Sequence, residues 1–256
     1  MSKKRVNNSP DVPLPEPERI DEAAVFNAWR NGEIDMVCVL GPTASGKTRY
    51  AVRLAGIFDA MNGSPCTEII SADSRQVYRG MDIGSGKDKA EYGQVPFHMI
   101  DIADAGEKYN LFRYKNDFGR VYSELRSRGK LPLMCGGSGL YIQGAVNDYA
   151  PGRTYFIGLL VSREERNALI DSRLDARIEE GLAAEVQKLL DSGLSADDLI
   201  YYGLEYKFVT HYLTGVMSFD EMRYHLGNAI HQFAKRQMTF FRSMEKKGCV
   251  IHWTVV

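Results

Sequence analysis

Cysteine is scarce and scattered in this chain: Cys38, Cys66, Cys135 and Cys249 form no CxxC pair and no Cys/His ligand spacing. That pattern argues against a disulfide framework and against structural zinc, and predicts small buried thiols in a reducing compartment. His225 and His231 lie near one another in sequence but have no third ligand beside them, so metal binding there is not expected. Long apolar runs are missing too. None approaches the roughly 18 residues that a bilayer span requires, and the N-terminal MSKKRVNNSPDVPLPEPERID has no apolar stretch of the kind a secretory signal carries. A cytoplasmic location without membrane attachment is the expectation. Nor does either sign of charge dominate: 32 Lys and Arg against 33 Asp and Glu leave a net −1. A chain so balanced has no global field to draw in a polyanion, so any nucleic-acid partner must meet a local basic patch.

What is present reads as an ordinary globule, 44% hydrophobic, 25% charged and 11% aromatic, long enough at 256 residues for one substantial core with or without an appendage. Residues 1–35 read as a flexible Pro-rich leader with a short amphipathic helix over 22–31. MVCVL (36–40), TEIISADS (67–74), VPFHMIDI (95–102), KLPLMCGG (130–137) and FIGLLVS (156–162) are β-rich apolar runs. Helical stretches separate them, from Thr48 to about Met61 and around 111–128. Continuous apolar strands alternating with helices predict an α/β fold, a parallel sheet covered by helices on both faces. Residues 36–162 would form this P-loop core. Residues 163–256 are strongly helical, over roughly 163–191 and 218–247, before a last strand in VIHWTVV.

Gly41, Pro42, Thr43, Ala44, Ser45, Gly46, Lys47 and Thr48 satisfy G-x-x-x-x-G-K-[ST], with an apolar strand before and a helix after. In that motif backbone amides at a helix N-terminus make a nest for phosphate oxygens, the Lys adds a point charge, and the Thr hydroxyl is placed to ligate Mg²⁺. The nest reads oxygens and not the group that carries them, so the phosphate compound stays open. One reading is a small-molecule kinase, with Asp101 in MIDI holding Mg²⁺ through water and Asp73 taking a hydroxyl proton. Against it, no arginine-rich lid segment follows a long helix in the middle of the chain.

Five blocks taken together are more specific. GPTASGKT, DSRQVYRGMDIGSGK (73–87), FHMIDI (97–102), GKLPLMCGGSGLYI (129–142) and FAKRQMTFFR (233–242) resemble tRNA dimethylallyltransferases in order and spacing, over most of 36–247. The resemblance implies a P-loop NTPase-like fold whose cradle binds the diphosphate of dimethylallyl diphosphate. The prenyl group then passes to the exocyclic amine of an adenine next to the tRNA anticodon. It implies Asp73 as the base, and Lys47, the loop amides and Mg²⁺ at Thr48 as the groups that stabilise the leaving diphosphate. Ser138 stands where the family usually has threonine, and its hydroxyl would hydrogen-bond the substrate. Arg173 and Arg177, four apart on one helical face, match a family pair that reaches the diphosphate or the RNA backbone. The implied RNA contacts are Asp73, Ser74, Arg75, Gln76 and Ser138, with the block Lys235, Arg236, Gln237, Met238, Thr239, Phe240, Phe241 and Arg242. The partners implied are dimethylallyl diphosphate and the tRNA anticodon arm, for a protein expected to be a monomer.

Helical periodicity over 226–247 agrees with an RNA-facing helix. Leu226, Ile230, Phe233, Ala234, Met238, Phe241 and Met244 gather on one side, while Lys235, Arg242 and Lys246 fall opposite. Two departures from the family stand out. Family members carry a sizeable helical insertion after the GLY turn, whereas here GAVNDYAPGRTYFIGLL (144–160) runs straight on to the next strand. Glu205-Tyr206-Lys207-Phe208 also replaces Gly-Tyr-Lys-Glu, placing a carboxylate that would repel RNA unless it points elsewhere. A missing clamp leaves two alternatives in view: adenylate isopentenyltransferases, which prenylate free adenine nucleotides, and an RNA-binding relative without turnover.

Overall fold

A computed structural model of the protein describes residues 14–255. Residues 1–13 of the Pro-rich leader lie outside them. From Glu18 onward the chain is tied down, the Glu18 N–H donating to the Trp253 carbonyl at 2.7 Å and Ile20 being buried. Asp21 then caps α1 (Glu22–Arg30) by accepting from the Ala24 N–H, and α1 turns Val25 and Phe26 inward.

The core follows as β1 (Met36–Leu40), α2 (Lys47–Asn62), β2 (Thr67–Ser71), β3 (Phe97–His98), α3 (Leu111–Ser127), β4 (Leu131–Gly136), α4 (Gly139–Tyr149) and β5 (Thr154–Leu160). The chain continues through α5 (Arg163–Glu179), α6 (Leu182–Asp191), α7 (Ala196–Tyr201), α8 (Leu204–Leu213) and α9 (Phe219–Lys246), and ends on β6 (Ile251–Val255). All six strands pair in parallel in the order β3-β2-β4-β1-β5-β6. No described helix is long and apolar enough to cross a membrane.

Every residue of β1, β2 and β4 is buried, as a sheet covered on both faces demands. Alternate residues feed two cores. Val37 and Val39 join Leu54 and Phe58 of α2 and Phe26 of α1 on one face; Met36, Cys38 and Leu40 join Tyr114, Phe118, Ile142 and the C-terminal helices on the other. The cysteines are all free, with Cys38, Cys66 and Cys135 buried.

Two expectations change. The third strand is confined to Phe97–His98, because Met99 and Asp101 adopt positive φ and turn the chain out of the sheet. That turn aims the Asp101 carboxylate at Lys87, whose fully buried ammonium also donates to the Tyr78 carbonyl (2.7 Å) and Asp82 (2.7 Å). Lys89 pairs with Asp101 from the other side. Asp101 is therefore occupied by two lysines and lines neither of the cavities beside the glycine loop, which removes it as a magnesium-holding acid. The interval 192–217, unassigned by periodicity, contains α7 and α8. Both are short: α7 is nucleated by a Ser195/Asp198 capping box, and α8 follows Gly203 at φ 73° and opens on Leu204 at φ 40°.

Replacing Lys87 by Met should cost about 1–3 kcal/mol of stability, the cost of leaving the Tyr78 carbonyl without its donor, read from the urea midpoint. Burial disfavours the charged form of Asp101, but Lys87 and Lys89 outweigh it and hold the carboxyl below its ordinary 3.8. Its contribution should be present near neutrality and vanish as acid protonates it.

Candidate active site

Because β4 lies between β1 and β2, the turns leaving the C-terminal ends of all three meet, at the edge where parallel sheets receive ligands. The β1 turn is the glycine loop. Gly46, at φ 74°, leads the backbone into α2, so the first amides of α2 point into the turn. Lys47 donates to the Pro42 carbonyl at 2.6 Å. The Ser45 hydroxyl is buried and has no hydrogen-bond partner among the described residues, an unspent donor in a loop that faces a cavity.

That cavity has two connected parts. An inner part of about 90 Å³ is lined by the loop, Asp73, Arg75, Gln76, Tyr92 and Cys135. An outer part of about 710 Å³ opens between the loop and α5, and Arg173 and Arg177 line both. Burial pushes the Cys135 thiol up to about 12, so it faces the cavity as a neutral group.

The turns after β2 and β4 are joined through serine. Ser138 Oγ accepts from the Ser74 N–H at 3.0 Å, and the Ser138 N–H donates to the Ala72 carbonyl at 3.0 Å. This contact requires glycine at 136, where a Cβ would sit 2.3 Å from the Ala72 oxygen. Asp73 Oδ1 accepts from the Arg75 N–H at 3.0 Å, and no described residue hydrogen-bonds its second oxygen. Asp73, Ser74, Arg75, Gln76, Ser138 and the glycine loop are thus brought together, with Arg173 and Arg177 on the opposite wall.

The α9 block divides. Gln237 is buried and bridges the two glycine turns, Oε1 accepting from the Thr43 N–H (2.8 Å) and Nε2 donating to the Gly137 carbonyl (2.9 Å). Phe241 is fully buried. These two are turned away from any RNA surface, because they dock the helix onto the sheet. Phe240 packs over Gly139, while Arg236 is exposed beside Phe233. Lys235, Met238, Thr239 and Arg242 line a separate groove of about 270 Å³, with Arg163, Arg166 and Lys246.

Two acids outside the predicted site residues hold this constellation. Glu185 of α6 accepts from the N–H groups of Asp82, Ile83 and Gly84 and from the Tyr206 hydroxyl. Glu205 is 1% exposed and takes Arg75 on one oxygen and Arg177 on the other, so it points away from solvent. Their signal in the sequence was faint, since an acid on a helix is ordinarily a solvated one.

The IPP transferase family model matches residues 76–153 and 147–244, well over half of the chain. The chain belongs to this family. Among its relatives, tRNA dimethylallyltransferase 1 of Parabacteroides distasonis is 42% identical, the match covering 86% of this chain and 92% of that protein. The protein of that name from Porphyromonas gingivalis is also 42% identical, over 85% and 93%. The crystal structure of the tRNA isopentenylpyrophosphate transferase of Bacillus halodurans superposes with a TM-score of 0.75 at 29% identity, covering 87% of this chain and 89% of that one. Against this family background the link after α4 is short. The Parabacteroides match extends over 288 residues, more than this chain contains, so that relative carries residues inside the match that are missing here. The two family-model segments meet at 147–153, where α4 runs through a tight turn into β5.

Burial brings the Lys47 ammonium down to about 8, Arg173 adding to the fall and Asp73 opposing it. Only the protonated form attracts an anion. Affinity for inorganic diphosphate should therefore drop as pH rises through about 8, as measured by titration calorimetry on either side of that value.

Proposed function

We propose that the chain transfers a dimethylallyl group from dimethylallyl diphosphate to the exocyclic N6 of an adenosine next to the tRNA anticodon. The observation that carries this reading is the meeting of an anion cradle with the Asp73 carboxylate, one of whose oxygens has no hydrogen-bond partner among the described residues, at the joined ends of β2 and β4. The diphosphate lies in the cradle, against the loop amides, Ser45, Lys47, Arg173 and Arg177. The prenyl carbon is thereby held toward the Asp73–Ser138 wall. The amine attacks that carbon, the C–O bond breaks, and its electron pair leaves with the diphosphate. Asp73 takes the proton the amine loses. Lys47 and the fixed amide dipoles stabilise the charge that grows on the leaving oxygen without reorganising.

The residues present fit Mg²⁺ with Thr48 as its protein ligand. No group of three or more His, Cys, Asp or Glu side chains gathers among the described residues, so there is no all-protein cage. The Thr48 hydroxyl, on the cavity wall, is the protein group that would hold the ion together with the donor's oxygens. Bound there, Mg²⁺ would supply further neutralisation of the diphosphate.

The RNA would lie along the exposed side of α9. The working unit in this reading is a monomer acting in the cytoplasm with its RNA.

Labelled dimethylallyl diphosphate offered with Mg²⁺ to unmodified tRNA and, in parallel, to AMP tests the assignment. Label should enter tRNA, and Asp73→Ala should lower kcat by about 10²–10⁴-fold, the usual share of a general base. Label in AMP alone would move the acceptor to free nucleotides. Arg236→Ala should raise KM for tRNA, leave KM for the prenyl donor unchanged, and reduce the slope of log affinity against log salt by about 1, as loss of one phosphate contact does.

A further inference from the structure

Glu205 stands where its carboxylate ought to harm a site built to bind polyanions. It is nonetheless directed into that site by backbone geometry. Gly203 at φ 73° and Leu204 at φ 40° open α8, and the left-handed conformation at Leu204 is one that a branched side chain resists. The consequence of this entry is that Glu205, on the first turn, faces inward. Its Oε2 accepts from Arg75 Nη1 at 2.5 Å and its Oε1 from Arg177 Nη1 at 2.8 Å. Each oxygen is thus committed to a different arginine. One arginine belongs to the segment after β2 and the other to α5, and both line the inner cavity.

We infer that Glu205 is the positioning residue of the diphosphate site, a carboxylate that holds Arg75 and Arg177 in the orientation in which their remaining N–H groups face the cavity. Three neighbouring contacts depend on the same geometry. The Arg75 backbone N–H holds Asp73, and the Arg75 guanidinium lies 5.6 Å from the Phe233 ring centroid of α9. Residue 86 must be glycine for Arg177 to reach across, since a Cβ there would be 2.0 Å from its Nη2. Arg173, one turn earlier on α5, has no hydrogen-bond or ion-pair partner among the described residues. Without an anion between them, Arg75, Arg173 and Arg177 repel one another and would turn toward solvent. Glu205 supplies that anion from beneath, and the cavity keeps an excess of positive charge for the ligand.

This inference rests on the reading that the cavity takes the donor's diphosphate, and the sign of one measurement separates positioning from simple charge balance. If Glu205 only dilutes positive charge, Glu205→Gln makes the cavity more positive and tightens inorganic diphosphate. If it positions, Glu205→Gln loosens diphosphate by about tenfold, as the loss of one well-oriented charged contact does, and KM for the prenyl donor rises while KM for tRNA stays within about twofold. The Arg177→Ala variant should abolish most of the effect of Glu205→Gln, because the carboxylate acts through that arginine. Glu205→Asp keeps the charge but shortens the reach, and should loosen diphosphate as well. Unchanged or tighter diphosphate binding in both folded variants would overturn the inference. So would failure of both to fold, which would make Glu205 a requirement of the fold alone. Absence of diphosphate binding by the unsubstituted protein would instead overturn the reading of the cavity.

Discussion

Cations gathered around one cavity repel one another, and this constraint shapes the site and much of the C-terminal half. Lys47, Arg75, Arg173 and Arg177 come from three separate elements and face one space. Burial raises the cost of each charge, visible in Lys47 and in Arg177, where burial first and then Arg173 and Arg75 pull the group below its ordinary range. Arg75 moves the other way: burial opposes its charge, yet Glu205 and Asp73 outweigh the penalty. The two arginines share one carboxylate but differ in their other neighbours. Helices α5, α6 and α8 are the frame that delivers these compensating groups, with Glu185 holding the 82–84 loop from behind.

The same frame explains why α9 belongs to the active site although it lies nearly 200 residues from the glycine loop in sequence. Gln237 satisfies the Thr43 amide and the Gly137 carbonyl at once, so the helix, the cradle and the β4 turn are fixed to each other by one buried side chain. A helix fixed in this way presents its outer residues at a set distance from Asp73. Under the proposed function, recognition of the acceptor and placement of the donor are parts of one rigid arrangement. The link from α4 to β5 places the end of one core helix directly against the start of the next strand, which leaves α9 and its basic neighbours as the surface beside the Asp73–Ser138 wall.

Much of this was legible from residue order. A continuous apolar MVCVL feeding GPTASGKT defines strand, cradle and helix together, because each requires the others' geometry. The GGSG turn could likewise be placed at a strand end. Spacing did not separate the members of the α9 block by role. Gln237 and Phe241 stand among lysines and arginines in the sequence, and only the packed helix shows that they face inward. Asp101 read as an acid at a strand end. Two left-handed residues, Met99 and Asp101, that no pattern announced deliver it to Lys87 and Lys89 instead.

The sequence by itself determined the parallel sheet and the cradle, since hydrophobic periodicity and a phosphate nest are local properties of consecutive residues, and the order of its five blocks carried the resemblance to the family. Only the tertiary structure decided which charges cancel and which remain for a ligand. Glu205 lies 130 positions from Arg75 and 28 from Arg177. No pattern along the chain can show that one carboxylate stands between them, because charge pairing depends on distance in space and burial, and both are products of the fold.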